Sequence, residues 1–442
     1  MIRIGSGAGF AGDRIEPAEI LVEQANLDYL VLECLAERTI ALAQKRKKQN
    51  ADTGYDVLLE KRMRSLIPKI SGKKVRIITN MGAANPIAGA NKIIEIAKEL
   101  NITLKVAAVT GDDTLTKISP DDLAWETEKP LKDHGQIVSA NAYIGVDALL
   151  DALTSDAQII IAGRIADPSL FLAPMIHEFN WSVDDYDLLA KGTVIGHLLE
   201  CAGQLTGGYF ADPGKKDIKD MANLGFPFAD ILADGSATFS KVENTGGQIT
   251  LRTAKEQLLY EVIDPNAYIT PDVIADFTSV KLEELSEGRI KVDGAVGLSK
   301  PQKLKVSIGY EAGYIGEGEI SYAGPNATAR ARLAGDIIQE RIGHLFGEFR
   351  VDLIGVNACH RESFRETDPY EVRLRVAGKA KSTAKAAIIG EEVEALYTNG
   401  PAGGGGARKV VNEVIGVVST FIDRDQVRFQ TELKEYVANE TL

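Results

Sequence analysis

Short aliphatic and β-branched runs alternate with longer stretches of helical period through the first half of the chain, the order that a parallel sheet covered by helices requires. The runs predict strands over residues 2–5, 29–32, 75–79, 104–109, 136–140 and 158–162. Within 87–100, Ile93, Ile94, Ala97 and Leu100 recur at spacings of three and four, one apolar helical face that packs on the sheet. From 181 to 301 a helix over 188–202 is mixed with glycine-rich turns and short strands, and the pattern there dictates no topology. Beyond Pro301 the order changes to strands over 304–322, 349–356, 370–377 and 410–421, with helices over 327–346 and 382–396. That βαββαβ order is the order of a ferredoxin-like unit, with helices on one face of an antiparallel sheet. The expected fold class is therefore α/β: an N-terminal, mostly parallel sheet with helices on both faces, followed by a C-terminal α+β ferredoxin-like domain. The expected boundaries are 1–225 for the α/β domain with the site rim, 226–300 for a connecting region and 301–442 for the last domain.

Composition narrows the function classes. With 442 residues, 45% hydrophobic and 26% charged, the chain has the make-up of two or three ordinary folded domains. Lys and Arg number 50 against 63 Asp and Glu, a net charge of −13, which repels nucleic acid and anionic lipid. The partner expected is a small molecule, and the assembly expected is a homo-oligomer. Cys34, Cys201 and Cys359 lie far apart with no CxxC, a usage that indicates neither a disulfide framework nor a structural zinc site and fits a reducing compartment. The N-terminus has no basic region followed by an apolar stretch, and no apolar run reaches the roughly 18 residues needed to span a bilayer. A cytoplasmic protein is expected.

In open α/β sheets ligands bind beyond the carboxyl ends of the strands. The loops there are 5–14, 33–38, 80–86, 111–113, 141–143 and 163–168, each carrying Gly, Asn, Asp, Glu or Arg, so their convergence predicts a polar cleft that includes Asn80, Asn141 and Tyr143. The first loop holds GxGxxG at Gly7, Gly9 and Gly12, with Glu33 at the end of the second strand, the outline of a dinucleotide fingerprint. Pro17 suits the first turn of the next helix and so starts that helix beyond the glycines, where its N-terminus misses a pyrophosphate. NAD is therefore not expected, and the loop, with Asp13 and Arg14, stands as a binder of phosphate or carboxylate.

Asp112 and Asp113 can bind a divalent cation or share a proton, or cap a helix opened by Thr114. Arg164 can fork onto an anion, while Asp167 and Pro168 form a cap and first turn. His197, Glu200 and Cys201 share one helical face, ahead of Gly207 and Gly208. That face suits acid–base chemistry with Glu200 orienting His197, a pair of metal ligands, or a satisfied buried pair, and Cys201 suits the core. Thr253 and Glu256 match a capping box behind the glycines of 244–247. The glycine run 403–406 beside Arg408 and Lys409 fits an anion contact or a solvent loop.

The blocks GSGAGFAGDR, YLVLECLAER, TNMGAANP, VTGDD, SANAYIGVDALLDAL, AGRIADPSLFLAP, GHLLECAGQLTGGYF and NTGGQITLRTAKEQLLYEVIDPNAYITPDV stand in this order, and together they resemble the acyclic terpene utilisation AtuA family over about residues 1–360. The resemblance implies a place among catabolic enzymes of branched acyl-CoA or carboxylic acid intermediates. It also implies a two-component enzyme, because shorter members accompany a small separate protein, and this sequence lacks the signature of the ferredoxin-like domain appended to longer members. By motif position it implies a shared site at Asp13, Glu37, Asn80, Asp112, Asp113, Asn141, Tyr143, Arg164, Asp167, His197, Glu200 and Cys201. The function expected is a lyase, hydratase or isomerase step on a small carboxylic acid or CoA thioester. Arg164 and the first glycine loop would hold the anion, and Asp112, Asp113, His197 and Glu200 would move protons, with a divalent cation as an open option. The rivals are a noncatalytic ligand-binding subunit and a nicotinamide-dependent oxidoreductase.

Overall fold

The computed structural model describes residues 1–361 and 368–439. Its first half runs β1 (Ile2–Ala8), α1 (Glu16–Gln24), β2 (Tyr29–Leu32), α2 (Glu37–Gln49), α3 (Leu59–Ile70), β3 (Arg76–Thr79), α4 (Pro86–Glu99) and β4 (Leu104–Thr110). It continues with β5 (Ile137–Ala142), α5 (Leu150–Thr154), β6 (Ile159–Ala162), α6 (Asp167–Phe179) and α7 (Tyr186–Glu200). Strands β1, β2, β3, β6 and β4 lie side by side and parallel. β2 and β6 are buried at every residue, as strands covered on both faces must be. Leu30, Leu32, Ile77 and Ile161 share one core with Leu21 of α1, Leu66 of α3 and Ile93 of α4. Tyr29, on the opposite pleat, donates to Glu178 of α6, so helices cover both faces.

The segment without a readable topology forms β7 (Pro227–Ile231), β8 (Ala237–Lys241), α8 (Leu251–Leu259), β9 (Tyr268–Ile269), β10 (Ile274–Asp276), β11 (Lys281–Ser286), β12 (Arg289–Asp293) and β13 (Val296–Leu298). Then come β14 (Lys303–Ala323), α9 (Ala327–Ile342), β15 (Phe349–Ile354), β16 (Glu371–Ala380), α10 (Thr383–Asn399), β17 (Gly405–Asp423) and β18 (Gln430–Tyr436). The main sheet has ten strands in the order β11-β12-β8-β7-β1-β2-β3-β6-β4-β18. It is mixed rather than mostly parallel: β7, β8, β12, β11 and β18 all join antiparallel. Short connections such as 232–236 permit only antiparallel return, since a parallel crossover needs a dozen residues or more. β5, expected inside this sheet, instead pairs with β14. A separate sheet, β13-β10-β9, packs beside α7. No helix begins at Thr114; Asp113 makes an isolated antiparallel bridge to Asn141.

The chain forms two compact units, one of 1–133, 137–309 and 417–442, the other of 134–136 and 310–416. In the second unit the strand order is β15-β16-β14-β17. Ile320, Tyr322, Leu374 and Val376 share a core with Ala331, Ile338, Ile389 and Val393 of the two helices. The alternate residues Glu317 and Glu319 pair with Arg375 and Arg373, leaving a charged face opposite the helices. Among the described residues no helix is long and apolar enough to cross a membrane.

Candidate functional site

In the first unit, two close backbone approaches bring the end of β1 and the end of α7 together. Gly196 lies so close to α6 that a Cβ there would stand 2.6 Å from the Pro168 carbonyl oxygen. Gly9 presses on the C-cap of α7, where a Cβ would meet the Cys201 backbone at 2.5 Å. Between the loops after β1, β2 and β6 and this helix end lies a cavity of about 970 Å³, within the range of small-molecule sites. Its wall carries six carboxyl side chains (Asp13, Glu33, Glu37, Asp167, Glu200, Glu261) and three cationic ones (Arg14, Arg164, Lys305). Phe10, Tyr209, Met221, Leu224, Phe226, Tyr260 and Tyr268 supply the apolar part.

One wall is densely bonded. Tyr143 donates to Glu37 Oε1, and Lys305 Nζ reaches the same oxygen at 3.2 Å. The Tyr143 ring has the Arg164 guanidinium at 4.4 Å and Lys305 Nζ at 4.9 Å from its centroid, two cation–π contacts. Burial opposes the Glu37 charge, but Tyr143, its own backbone amide, Lys305 and Arg164 hold its carboxyl down at about 2. Arg164, 1% exposed, donates to Asp167, to the Leu35 carbonyl and, through Nε and Nη2, to the Ile165 carbonyl. Its fork, expected on a ligand, is thus largely spent inside the protein.

The other wall is the end of α7. His197 Nδ1 and Glu200 Oε1 are 2.7 Å apart, and the His197 ring lies 5.2 Å from Tyr268 and 5.5 Å from Phe277. His197 Nε2 and Glu200 Oε2 are buried without a hydrogen-bond partner. Burial drives the Glu200 carboxyl up to about 7, against the lowering effect of His197. Unsatisfied buried polar atoms are uncommon in native proteins and call for an explanation.

The sequence-predicted residues divide accordingly. Gly9, Asp13, Arg14, Tyr143, Arg164, Asp167, Glu200 and Gly208 line the cavity, and His197 stands directly behind Glu200. Asn80, Asp112 and Asn141 are buried behind the wall. Asp112 Oδ2 accepts from Asn141 Nδ2 at 2.7 Å and from the Arg164 amide at 3.1 Å, which ties the ends of β4, β5 and β6 together. Asp113 points away from Asp112, exposed, and accepts from the Leu115 amide and Gln44. The two aspartates therefore share no proton in the cavity. Gly7 lies within β1, packed on Leu32 and Ala18, and Gly12 and Gly207 also lie off the wall.

The glycine amides are occupied as well: Gly9 donates to Asp13, Gly207 to Gln204, Gly208 to Gly203, and Gly246 to Asn223. α1 begins at Glu16 with Pro17 in its first turn, beyond the glycines. α8 is capped by Thr250 with Thr253, one turn before the expected box. Lys305, Glu261, Tyr260 and Tyr268 are wall residues that sequence reasoning missed. Lys305 comes from β14 and Tyr268 from β9, so no local spacing links them to the loops, although Glu261 has a φ of 59°, rare for a non-glycine residue. Among the described residues no three His, Cys, Asp or Glu side chains are placed to hold a metal ion.

The family model described as acyclic terpene utilisation family protein AtuA matches residues 2–433, and the chain belongs to that family. The match extends well past residue 360, so the C-terminal third is part of the family's own domain. No curated protein and no solved structure matches the chain.

Proposed function

We propose that this member of the AtuA family is a catabolic enzyme that moves a proton on a small carboxylic acid or its CoA thioester, in a hydratase-type lyase or an isomerase step. The family's description points to acyclic terpene utilisation as the setting. The observation that carries the reading is Glu200: a buried carboxyl on the cavity wall, one oxygen held by His197, the other unpartnered, with burial raising it to about 7. A general base is most effective when it titrates near the working pH. Glu200 takes the proton from the carbon next to the substrate carbonyl and returns it at the second position or to a departing hydroxyl. His197 holds the Glu200 carboxyl in place and changes its hydrogen bond as Glu200 gains the proton.

The test is a screen of enoyl and 3-hydroxyacyl thioesters and the matching free acids, followed by Glu200→Gln on whichever substrate turns over. Turnover should fall by about 10²–10⁴ while the variant stays folded, and kcat should rise with pH through about 7 in the wild-type protein. Full activity in Glu200→Gln sinks the reading. Tight binding of ligands without turnover favours a noncatalytic subunit instead.

A further inference from the structure

Glu33 is buried at 7% exposure and lies on the cavity wall, yet the reading of Glu200 as base leaves it without a role. Its two oxygens differ. Oε1 accepts from the Leu35 amide at 2.8 Å and from Asn80 Nδ2 at 2.9 Å. The orientation of the Asn80 amide is not arbitrary, because its Oδ1 accepts from the Cys34 amide at 2.7 Å, and a flipped amide would set two donors face to face. Oε1 is therefore an acceptor twice over, and any proton on this carboxyl sits on Oε2. Both hydrogen bonds that hold the carboxyl end on Oε1, which leaves Oε2 open to the cavity.

An ionised Glu33 would carry half of its charge on an oxygen without a protein donor in a side chain only 7% exposed, a costly arrangement. Arg164 draws the carboxyl back toward ionisation only in part, because its guanidinium is bonded to Asp167 and to main-chain carbonyls. Burial and the like charge of Asp167 push the Glu33 carboxyl well above its ordinary range, against the lowering effects of Arg164, the Leu35 amide and Asn80.

We infer that Glu33 is a neutral carboxylic acid that offers the hydrogen on Oε2 to the cavity, as the donor for the substrate oxygen on which negative charge develops, with Asn80 as the positioning residue that turns that hydrogen inward. The inference rests on the proton-transfer reading of Glu200. When Glu200 removes a proton from the carbon beside the carbonyl, the released electron pair forms the carbon–carbon double bond of the enolate and the charge passes to the carbonyl oxygen. Glu33 keeps its proton and donates a hydrogen bond to that oxygen. Two carboxyls whose surroundings drive them to different protonation states divide acid and base work between them. Asn80, expected from the sequence to touch the ligand, acts instead through Glu33.

Infrared difference spectroscopy of the whole protein at pH 8 tests the protonation directly. The protonated-carboxyl band that shifts in D2O should contain a Glu33 component in the wild type and in Glu200→Gln that is lost in Glu33→Gln. No such band, or a band of undiminished intensity in Glu33→Gln, overturns the inference whatever the substrate proves to be. On a substrate found by the screen, Glu33→Gln keeps an N–H donor and should lose about tenfold in kcat. Glu33→Met keeps none and should lose about 10²–10³, with KM little changed. Wild-type kcat in Glu33→Met overturns the donor role while leaving Glu200 intact, whereas full activity in Glu200→Gln removes the underlying reading even if the band is present.

Discussion

The two walls of the cavity are built on opposite rules. On the Arg164 wall Glu37 takes Tyr143 and Lys305, and Arg164 takes Asp167 and two carbonyls. On the Glu200 wall His197 Nε2 and Glu200 Oε2 are buried and unanswered. A saturated polar network rigidifies a structure, whereas an unsatisfied buried group raises its energy until a ligand or a proton satisfies it. The contrast sets a saturated Arg164 apart from an unsatisfied Glu200, and it reverses the order suggested by residue type, since an arginine behind a strand is the more conventional anion anchor.

The most severe test is Arg164→Met. Removing one partner of a buried ion pair costs about 3–5 kcal/mol, so chemical denaturation should show a loss of that size, with most of the functional defect explained by unfolding. A variant that kept its stability and lost only substrate affinity would move Arg164 from the scaffold to the ligand.

The walls should also respond to pH with opposite signs. Glu200 is raised from its ordinary value to about 7, so its contribution to stability is complete below about 4.5 and is lost as pH rises through 7. Glu200→Gln should therefore be more stable than the wild type by about 2–3 kcal/mol at pH 8 and no different at pH 4. Glu37 is lowered to about 2, so its contribution is present above about 4.5 and lost as pH falls through 2. Because its side chain is 35% exposed, Glu37→Gln should cost only about 1 kcal/mol at neutral pH. Melting curves of the two variants across pH 3–8 check both signs, and parallel curves would dissolve the distinction.

The mildest test compares neighbours. Asp112→Ala strips two buried donors of their acceptor and should cost about 2 kcal/mol, while exposed Asp113→Ala should stay within about 0.5 kcal/mol. Equal costs would show that Asp112 is not the tie between the strand ends.

Much of this was legible before folding was considered. Tyr29–Leu32 and Leu104–Thr110 announce themselves because strands buried on both faces are continuous apolar runs. α4 follows from the apolar spacing within 87–100, and the helix expected over 188–202 falls largely on α7. His197 and Glu200 share a helix face by spacing alone, and that pair survives as a contact of 2.7 Å. The ten-strand sheet was not legible, because whether a strand joins it or leaves it, as β5 does, depends on partners far along the chain.

The sequence by itself determined the local elements and the residue types at their ends, since these depend on interactions within a few residues. Only the tertiary structure decided which of those polar groups are satisfied. Lys305 joins Glu37 across 268 residues, and Asn80 fixes Glu33 across 47. Burial and hydrogen-bond saturation are sums over everything that packs nearby, and those sums separate the saturated Arg164 from the half-satisfied Glu200.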